Sequence, residues 1–195
     1  MTVSLDDLTS CGAHRRGHFL LSSGLHSGDY LQCALYLALP SRAERAGRAL
    51  AERLAAVGTA APDVVMAPAM GGLIIGHEVA RALGRPFLFT ERSDSRMTLR
   101  RGFELGADQG VVIVEDVVTT GRSTREVIEL VRAAGSTVMA VAALVDRSGG
   151  TEPFAPIPFA SLVDVTFPTW PPSECPLCAE GRPIDRPGSR PIAIT

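Results

Sequence analysis

The chain has 195 residues, of which 46% are hydrophobic and 21% charged, with a formal net charge of −2. That length and apolar fraction support a single buried core and exclude a chain disordered by composition. The near-neutral charge argues against broad electrostatic binding to nucleic acid or to an anionic membrane, and no stretch approaches the ~18 apolar residues of a spanning helix.

The opening run Met1–Asp7 has neither the basic start nor the apolar run of a secretory signal, so a soluble, cytoplasmic protein is expected. All 19 basic residues are arginine. Without lysine there is no Schiff-base chemistry and no Walker-type phosphate loop. Cationic work falls to arginine, whose planar fork suits phosphate and carboxylate, to a divalent ion, or to backbone N–H groups.

In chain order, residues 1–40 read as an irregular opening segment, rich in Gly, Ser and His between Gly17 and Tyr30. Ser41 and Glu44 have the spacing of a capping box. Ala46, Leu50, Leu54 and Val57 then recur at helical spacing before Gly58, which predicts a helix over 42–57. Val64–Ala67 is a short apolar strand, broken by Gly71-Gly72, and 73–83 predicts a helix stopped by Gly84. Pro86–Thr90 is a second strand, followed by a polar, arginine-rich connection over 91–109. Val111–Val114 is a third strand, apolar throughout, as a strand buried on both faces should be. A loop is expected over 115–123, a helix over 124–134 and a fourth buried strand over 138–145. Strands alternating with helices predict a parallel-sheet α/β fold flanked by helices. Beyond Gly149-Gly150 prolines mark an irregular tail with one short strand, 159–163. The expected organisation is one domain, 1–195, in three parts: an opening segment 1–40, an α/β core 41–150 and a Pro-rich tail 151–195.

Chemistry concentrates in Val111–Thr124. A buried strand delivers Glu115 and Asp116 to its carboxyl edge, where open α/β sheets bind ligands. Val117 and Val118 lead into the small-residue loop Thr119, Thr120, Gly121, Arg122 and Ser123. That loop opens a helix, whose free N–H groups and neighbouring hydroxyls suit a phosphate. Two adjacent carboxylates suit the hydroxyls of a ribose, or a hydrated Mg²⁺. Together they predict a site for a phosphorylated ribose.

This run resembles the phosphoribosyl-pyrophosphate (PRPP) motif of the type I phosphoribosyltransferases, in which two acids lie between a hydrophobic strand and a Thr-x-Gly-x-Ser/Thr loop. Gly17–Tyr30, with Phe19, Leu21, Ser23-Gly24 and Ser27 before the aromatic, is similar to the N-terminal segment of orotate phosphoribosyltransferases. Arg147, at the end of the fourth strand and 28 positions beyond Thr119, agrees with that family, in which a loop threonine and a downstream arginine bind the base. The resemblance implies the type I phosphoribosyltransferase fold, with residues 1–40 as a hood that helps bind the base. It implies transfer of ribose 5-phosphate from PRPP to orotate, giving orotidine 5′-monophosphate and pyrophosphate in pyrimidine biosynthesis. Glu115, Asp116 and Arg96 are then the catalytic residues. Arg92, Arg96, Glu115, Asp116, Val117, Val118, Thr119, Thr120, Gly121, Arg122 and Ser123 bind PRPP, and Thr119 and Arg147 bind orotate. Mg²⁺ is the implied cofactor, carried mainly by the substrate, with Asp116 the protein's candidate ligand. The arginine-rich connection Glu91–Phe103 corresponds to a lid that closes over the neighbouring subunit's site, so a homodimer is implied, with neither nucleic acid nor membrane as partner. Ala67–Gly72 corresponds to the pyrophosphate turn. Where many relatives have lysine, this chain has Ser22 in the hood, Gly71 near the turn, and Arg92 and Arg96 in the lid. Two alternatives stay open: another base as acceptor, or a PRPP-sensing regulator on the same fold.

Cys175-Pro-Leu-Cys178 has the spacing of a metal-ligand pair, but all four histidines lie within the first 77 residues, so none is near in sequence. The pair is expected to belong to a structural tail, with a local or intersubunit disulfide, and a metal or redox role is the alternative. His18 and His26 are expected to be structural.

Overall fold

The computed structural model describes residues 2–21, 23–59, 61–94 and 96–187. Its main sheet has six strands in the order β5-β4-β3-β6-β7-β8. These are β3 (Val64–Pro68), β4 (Phe87–Ser93), β5 (Arg96–Leu99), β6 (Gly110–Val118), β7 (Thr137–Asp146) and β8 (Phe159–Asp164). Every pairing is parallel except β4 with β5. Val111–Val114 of β6 are fully buried, as their unbroken apolar run predicts for a central strand covered on both faces. Helices α3 (Pro40–Ala56) and α4 (Gly72–Leu83) bury Leu50, Leu54, Ile75 and Val79 against one face. Helix α5 (Arg122–Ala133) buries Val127, Ile128 and Val131 against the other.

Three local expectations differ from the structure. Helix α3 begins at Pro40, with Leu39 at its N-cap and no side-chain cap. Proline at the first helical position presets φ and lacks the N–H that would need a partner, so Ser41 is already inside the helix. Glu44 pairs with Arg48 at 2.6 Å and with Arg81 of α4 at 3.5 Å instead of closing a capping box. The capping box present is Ser4 with Asp7, at the start of α1 (Leu5–Ser10).

The opening segment is also more regular than expected. After α1, strands β1 (His14–Leu20) and β2 (His26–Leu31) form an antiparallel hairpin, followed by α2 (Cys33–Leu37). The hairpin gains a third strand from the tail: β9 (Thr169–Trp170) pairs with β2, and Asp185 bridges to Phe19. The last helix, α6 (Pro176–Ala179), follows. First and last parts of the chain therefore share one small sheet, and β8 of the tail completes the edge of the main one.

Candidate functional site

From β3 the chain moves to β4 and β5 on one side of the sheet, then returns to β6 and continues to β7 and β8 on the other. β3 and β6 therefore flank a topological switch point, and the crevice at their carboxyl ends is the expected ligand site of such a sheet. The crevice is open because β3 pairs with β6 only as far as Met66 with Ile113. Glu115 and Asp116 lie just beyond.

Both acids sit on the strand rather than in a loop. β6 stays paired with β7 through Glu115–Ala143, Val117–Val145 and Val118–Asp146, four residues past the expected strand end. The same register offsets β7 from β6 by 28 residues, as from Val118 to Asp146. Thr119 and Arg147 therefore leave their strands side by side, and the Arg147 N–H donates to the Val118 carbonyl at 2.7 Å. The sequence spacing between loop threonine and arginine is this register.

Asp116 accepts a hydrogen bond from the Val117 N–H at 2.9 Å. Across the crevice its carboxylate packs on the backbone of Gly71, where an added Cβ would lie 2.4 Å from Oδ1. The absence of a side chain at Gly71 thus lets the start of α4 approach the acid closely. Met70, next in the turn, is exposed. Beyond β6, Thr119 and Thr120 are exposed and Gly121 caps α5 with φ of 69°. A Cβ at Gly121 would also stand 2.7 Å from the Phe154 ring. No side chain caps α5, so the N–H groups of Arg122 and Ser123 are free for an anion. The crevice thus lies between two helix N-termini, with the acid pair at its floor.

Burial pushes the Glu115 carboxyl well above the usual carboxylate range, and the adjacent Asp116 charge pushes it further. Burial also raises Asp116. A raised pKa in the fold means that the ionised form is disfavoured there. The resulting destabilisation is absent below the ordinary carboxylate pKa and grows as pH rises through the folded value. Glu115→Gln is therefore expected to melt higher than the unmodified protein at pH 8, by about 2–4 °C for each kcal/mol of relieved strain in a chain of this size. The gap should close towards pH 4; a melting curve series in pH checks both parts.

Arg147 is half-buried, and burial lowers its pKa, against the opposing Asp29 charge. Its guanidinium lies over the Phe167 ring at 5.0 Å, and Phe167 stacks on His14, whose Nε2 meets Asp29 at 2.8 Å. Among the described residues Arg147 has no ion pair, and its buried Nε has no hydrogen-bond partner. Asp146 beside it accepts from the Ser148 N–H instead. An unpaired, half-desolvated guanidinium is a receptor for a planar carboxylate.

The predicted lid residues are not at the crevice of this chain. The arginine-rich connection is not a loop throughout: β4 runs on to Ser93 and turns back through β5 as an edge hairpin. Arg92 pairs with Glu126 of α5 at 3.0 Å, and Arg122 reaches the same glutamate at 3.3 Å. Arg96 is exposed and, among the described residues, has no ion pair. Ser22, in the hood, lies outside the described residues. His18 and His26 lie together in the small sheet beside Cys175 and Cys178. Phe167 and Glu126 were not anticipated. The spacing from Arg122 to Glu126 offered a signal for the second, whereas one phenylalanine in a Pro-rich stretch offered none.

Comparison with known proteins fits this geometry. A family model described as "Phosphoribosyl transferase domain" matches residues 35–159. An orotate phosphoribosyltransferase of Heliobacterium modesticaldum is 51% identical over 95% of this chain and 96% of its own. One from Carboxydothermus hydrogenoformans is 53% identical over 89% of this chain and 90% of its own. The chain belongs to the orotate phosphoribosyltransferase family. Among solved structures, the orotate phosphoribosyltransferase of Aeropyrum pernix superposes with a TM-score of 0.70 at 29% identity, covering 82% of this chain and 92% of that one. The family's fold is the one described above. Among the described residues no helix is long and apolar enough to cross a membrane.

Proposed function

We propose that the protein transfers ribose 5-phosphate from PRPP to N1 of orotate, forming orotidine 5′-monophosphate and releasing pyrophosphate. The observation that carries this most directly is the unpaired Arg147 guanidinium emerging beside Thr119, at the mouth of an acid-floored crevice between two helix N-termini. Orotate differs from uracil by a carboxylate, and a desolvated arginine is what distinguishes the two.

The assignment gives each residue a task. Free N–H groups and hydroxyls of Thr119–Ser123 anchor the 5′-phosphate, binding remote from the reacting carbon. Glu115 and Asp116 face the ribose hydroxyls, and the Asp116 charge offsets positive charge that develops on the sugar as the bond to pyrophosphate lengthens. The Ala67–Gly72 turn and the start of α4 receive the pyrophosphate. Arg147 and Thr119 hold the base in line on the opposite side. The donor set suits Mg²⁺, because a half-buried aspartate beside an open, oxygen-lined crevice matches an ion that keeps its waters and uses few carboxylates. When bound, that ion neutralises charge on the leaving pyrophosphate.

Arg92 and Arg96 act from the lid hairpin on the partner subunit's crevice. The exposure of Arg96, which has no ion pair among the described residues, and the exposed apolar side chains Leu35, Leu39, Met70 and Ile74 support a homodimer. Arg96→Ala is expected to lower kcat by about 10²-fold, the usual scale for one group that stabilises developing charge. Mixed dimers of inactive Arg96→Ala and Asp116→Asn chains should recover about a quarter of the normal rate, since one site in half of the dimers is intact. An unchanged kcat, or no recovery, would remove the lid from the mechanism.

The function is tested by following orotate absorbance with PRPP and Mg²⁺, in parallel with uracil, adenine and hypoxanthine. Orotate alone should be consumed. Consumption of another base would reassign the acceptor, and binding of PRPP with no turnover of any base would identify a sensor.

A further inference from the structure

Away from the crevice, four side chains that the proposed reaction does not use converge on one point. They are His18 of β1, His26 of β2, Cys175 before α6 and Cys178 within it. Their ligand atoms all lie within 4.8 Å of one another. His18, His26 and Cys175 are each at most 4% exposed. We propose that these residues form a structural Zn²⁺ site that ties the C-terminal tail to the N-terminal hairpin.

The distances carry the assignment. Zinc bonds of ~2.3 Å to sulfur and ~2.05 Å to nitrogen, arranged tetrahedrally, put ligand atoms about 3.5 Å apart for an N–S edge and about 3.3 Å for an N–N edge. Cys175 Sγ lies 3.5 Å from His18 Nε2, Cys178 Sγ lies 3.7 Å from the same atom, and Cys178 Sγ lies 3.2 Å from His26 Nδ1. The two imidazole nitrogens are 2.9 Å apart. Four of the six edges of the cluster are therefore close to those of a zinc tetrahedron, and the other two lie within 4.8 Å.

A second observation is independent of those distances. The other ring nitrogen of His18, Nδ1, lies 2.9 Å from the Arg182 carbonyl. A carbonyl only accepts, so Nδ1 carries the proton and the Nε2 lone pair points into the cluster. A histidine oriented by a backbone carbonyl in this way is the usual outer support of a metal ligand. The same support fixes the tail, because Arg182 lies three residues beyond the end of α6.

Ligand type selects the ion. Two thiolates and two imidazoles in tetrahedral array suit zinc, and hard cations such as Mg²⁺ prefer oxygen. Four protein ligands leave no open position, which makes the centre structural rather than catalytic. Both cysteines are free thiols here, so the short Cys-Pro-Leu-Cys spacing is not spent on a disulfide. The small sheet explains the need. Its third strand has only two residues, Thr169 and Trp170, and so few ladder bonds hold the tail to the hood that an added cross-link has a large task.

The test uses the full chain, produced without a polyhistidine tag and purified without chelator. Elemental analysis should find one zinc per chain. Replacement by Co²⁺ should give the intense visible bands of a tetrahedral site, together with thiolate-to-metal charge transfer. Cys175→Ser with Cys178→Ser should abolish both signals, whereas Cys11→Ser should keep them. Prolonged EDTA should lower the melting temperature of the unmodified protein, and added Zn²⁺ should restore it, a comparison that needs no variant to fold. Metal-free protein that takes up no Co²⁺ and melts identically with EDTA, or a Cys175–Cys178 disulfide in the purified chain, would overturn the proposal.

Discussion

Asp116→Asn is expected to lower kcat by about 10²–10³-fold, the scale on which loss of one preorganised electrostatic group is felt in the transition state. The substitution is nearly isosteric, and the Val117 N–H that donates to Oδ1 at 2.9 Å can still find an oxygen. What is lost is negative charge facing a sugar that becomes cationic as pyrophosphate departs. Affinity for PRPP should change by only a few-fold, because the proposed binding mode places its 5′-phosphate at the α5 N-terminus, which the substitution does not touch. A fall in kcat with little change in donor affinity is the signature of an interaction made in the transition state alone. Steady-state kinetics paired with calorimetric titration of PRPP separates the two quantities. Turnover within threefold of normal would remove Asp116 from the reaction.

Arg147→Ala should raise the KM for orotate by about 10–150-fold, which corresponds to the ~1.5–3 kcal/mol of a charge-assisted hydrogen-bond pair. The KM for PRPP should stay within about threefold, since the donor's anchors lie on α5 and the two acids. The guanidinium enters this bond with little competition: it has no carboxylate partner among the described residues, and its underside is covered by the Phe167 ring. Arg147→Lys should recover little, because a compact ammonium can neither fork to two oxygens nor stack flat on the ring. Equal increases in both KM values would mean that Arg147 supports the fold of the crevice and does not read the base.

Much of the candidate crevice is legible in the sequence because its determinants are local. Val111–Val114 are buried on both faces, so the strand has to be apolar throughout, and the run shows it. Gly121 is required by a positive φ and by the Phe154 ring, and it stands where the Thr-x-Gly pattern leads into α5. Even the 28-residue spacing from Thr119 to Arg147 is visible, being the parallel register of two neighbouring strands projected onto the chain. By contrast, the end of β6 is not visible in the residues: Glu115–Val118 are polar or follow polar residues, and pairing with β7 keeps them extended. The lid was expected as a loop for a similar reason. Arg92, Ser93 and Arg96 carry no apolar alternation, and it is the edge of β4 that recruits them into a hairpin.

The residue pattern alone shows the α/β alternation, the acid pair at a strand end and the glycine-led start of α5, because each depends on residues within one or two turns of one another. Tertiary structure decided what lies across the crevice from Asp116, what supports Arg147, and where the Cys-Pro-Leu-Cys pair finds its companions. Gly71, Phe167, His18 and His26 are brought there by sheet order and by a tail that returns to the N-terminal hairpin. Such contacts join residues up to 160 positions apart, as Cys178 is from His18. Over that separation no periodicity or motif survives in the chain, and only packing brings the partners together.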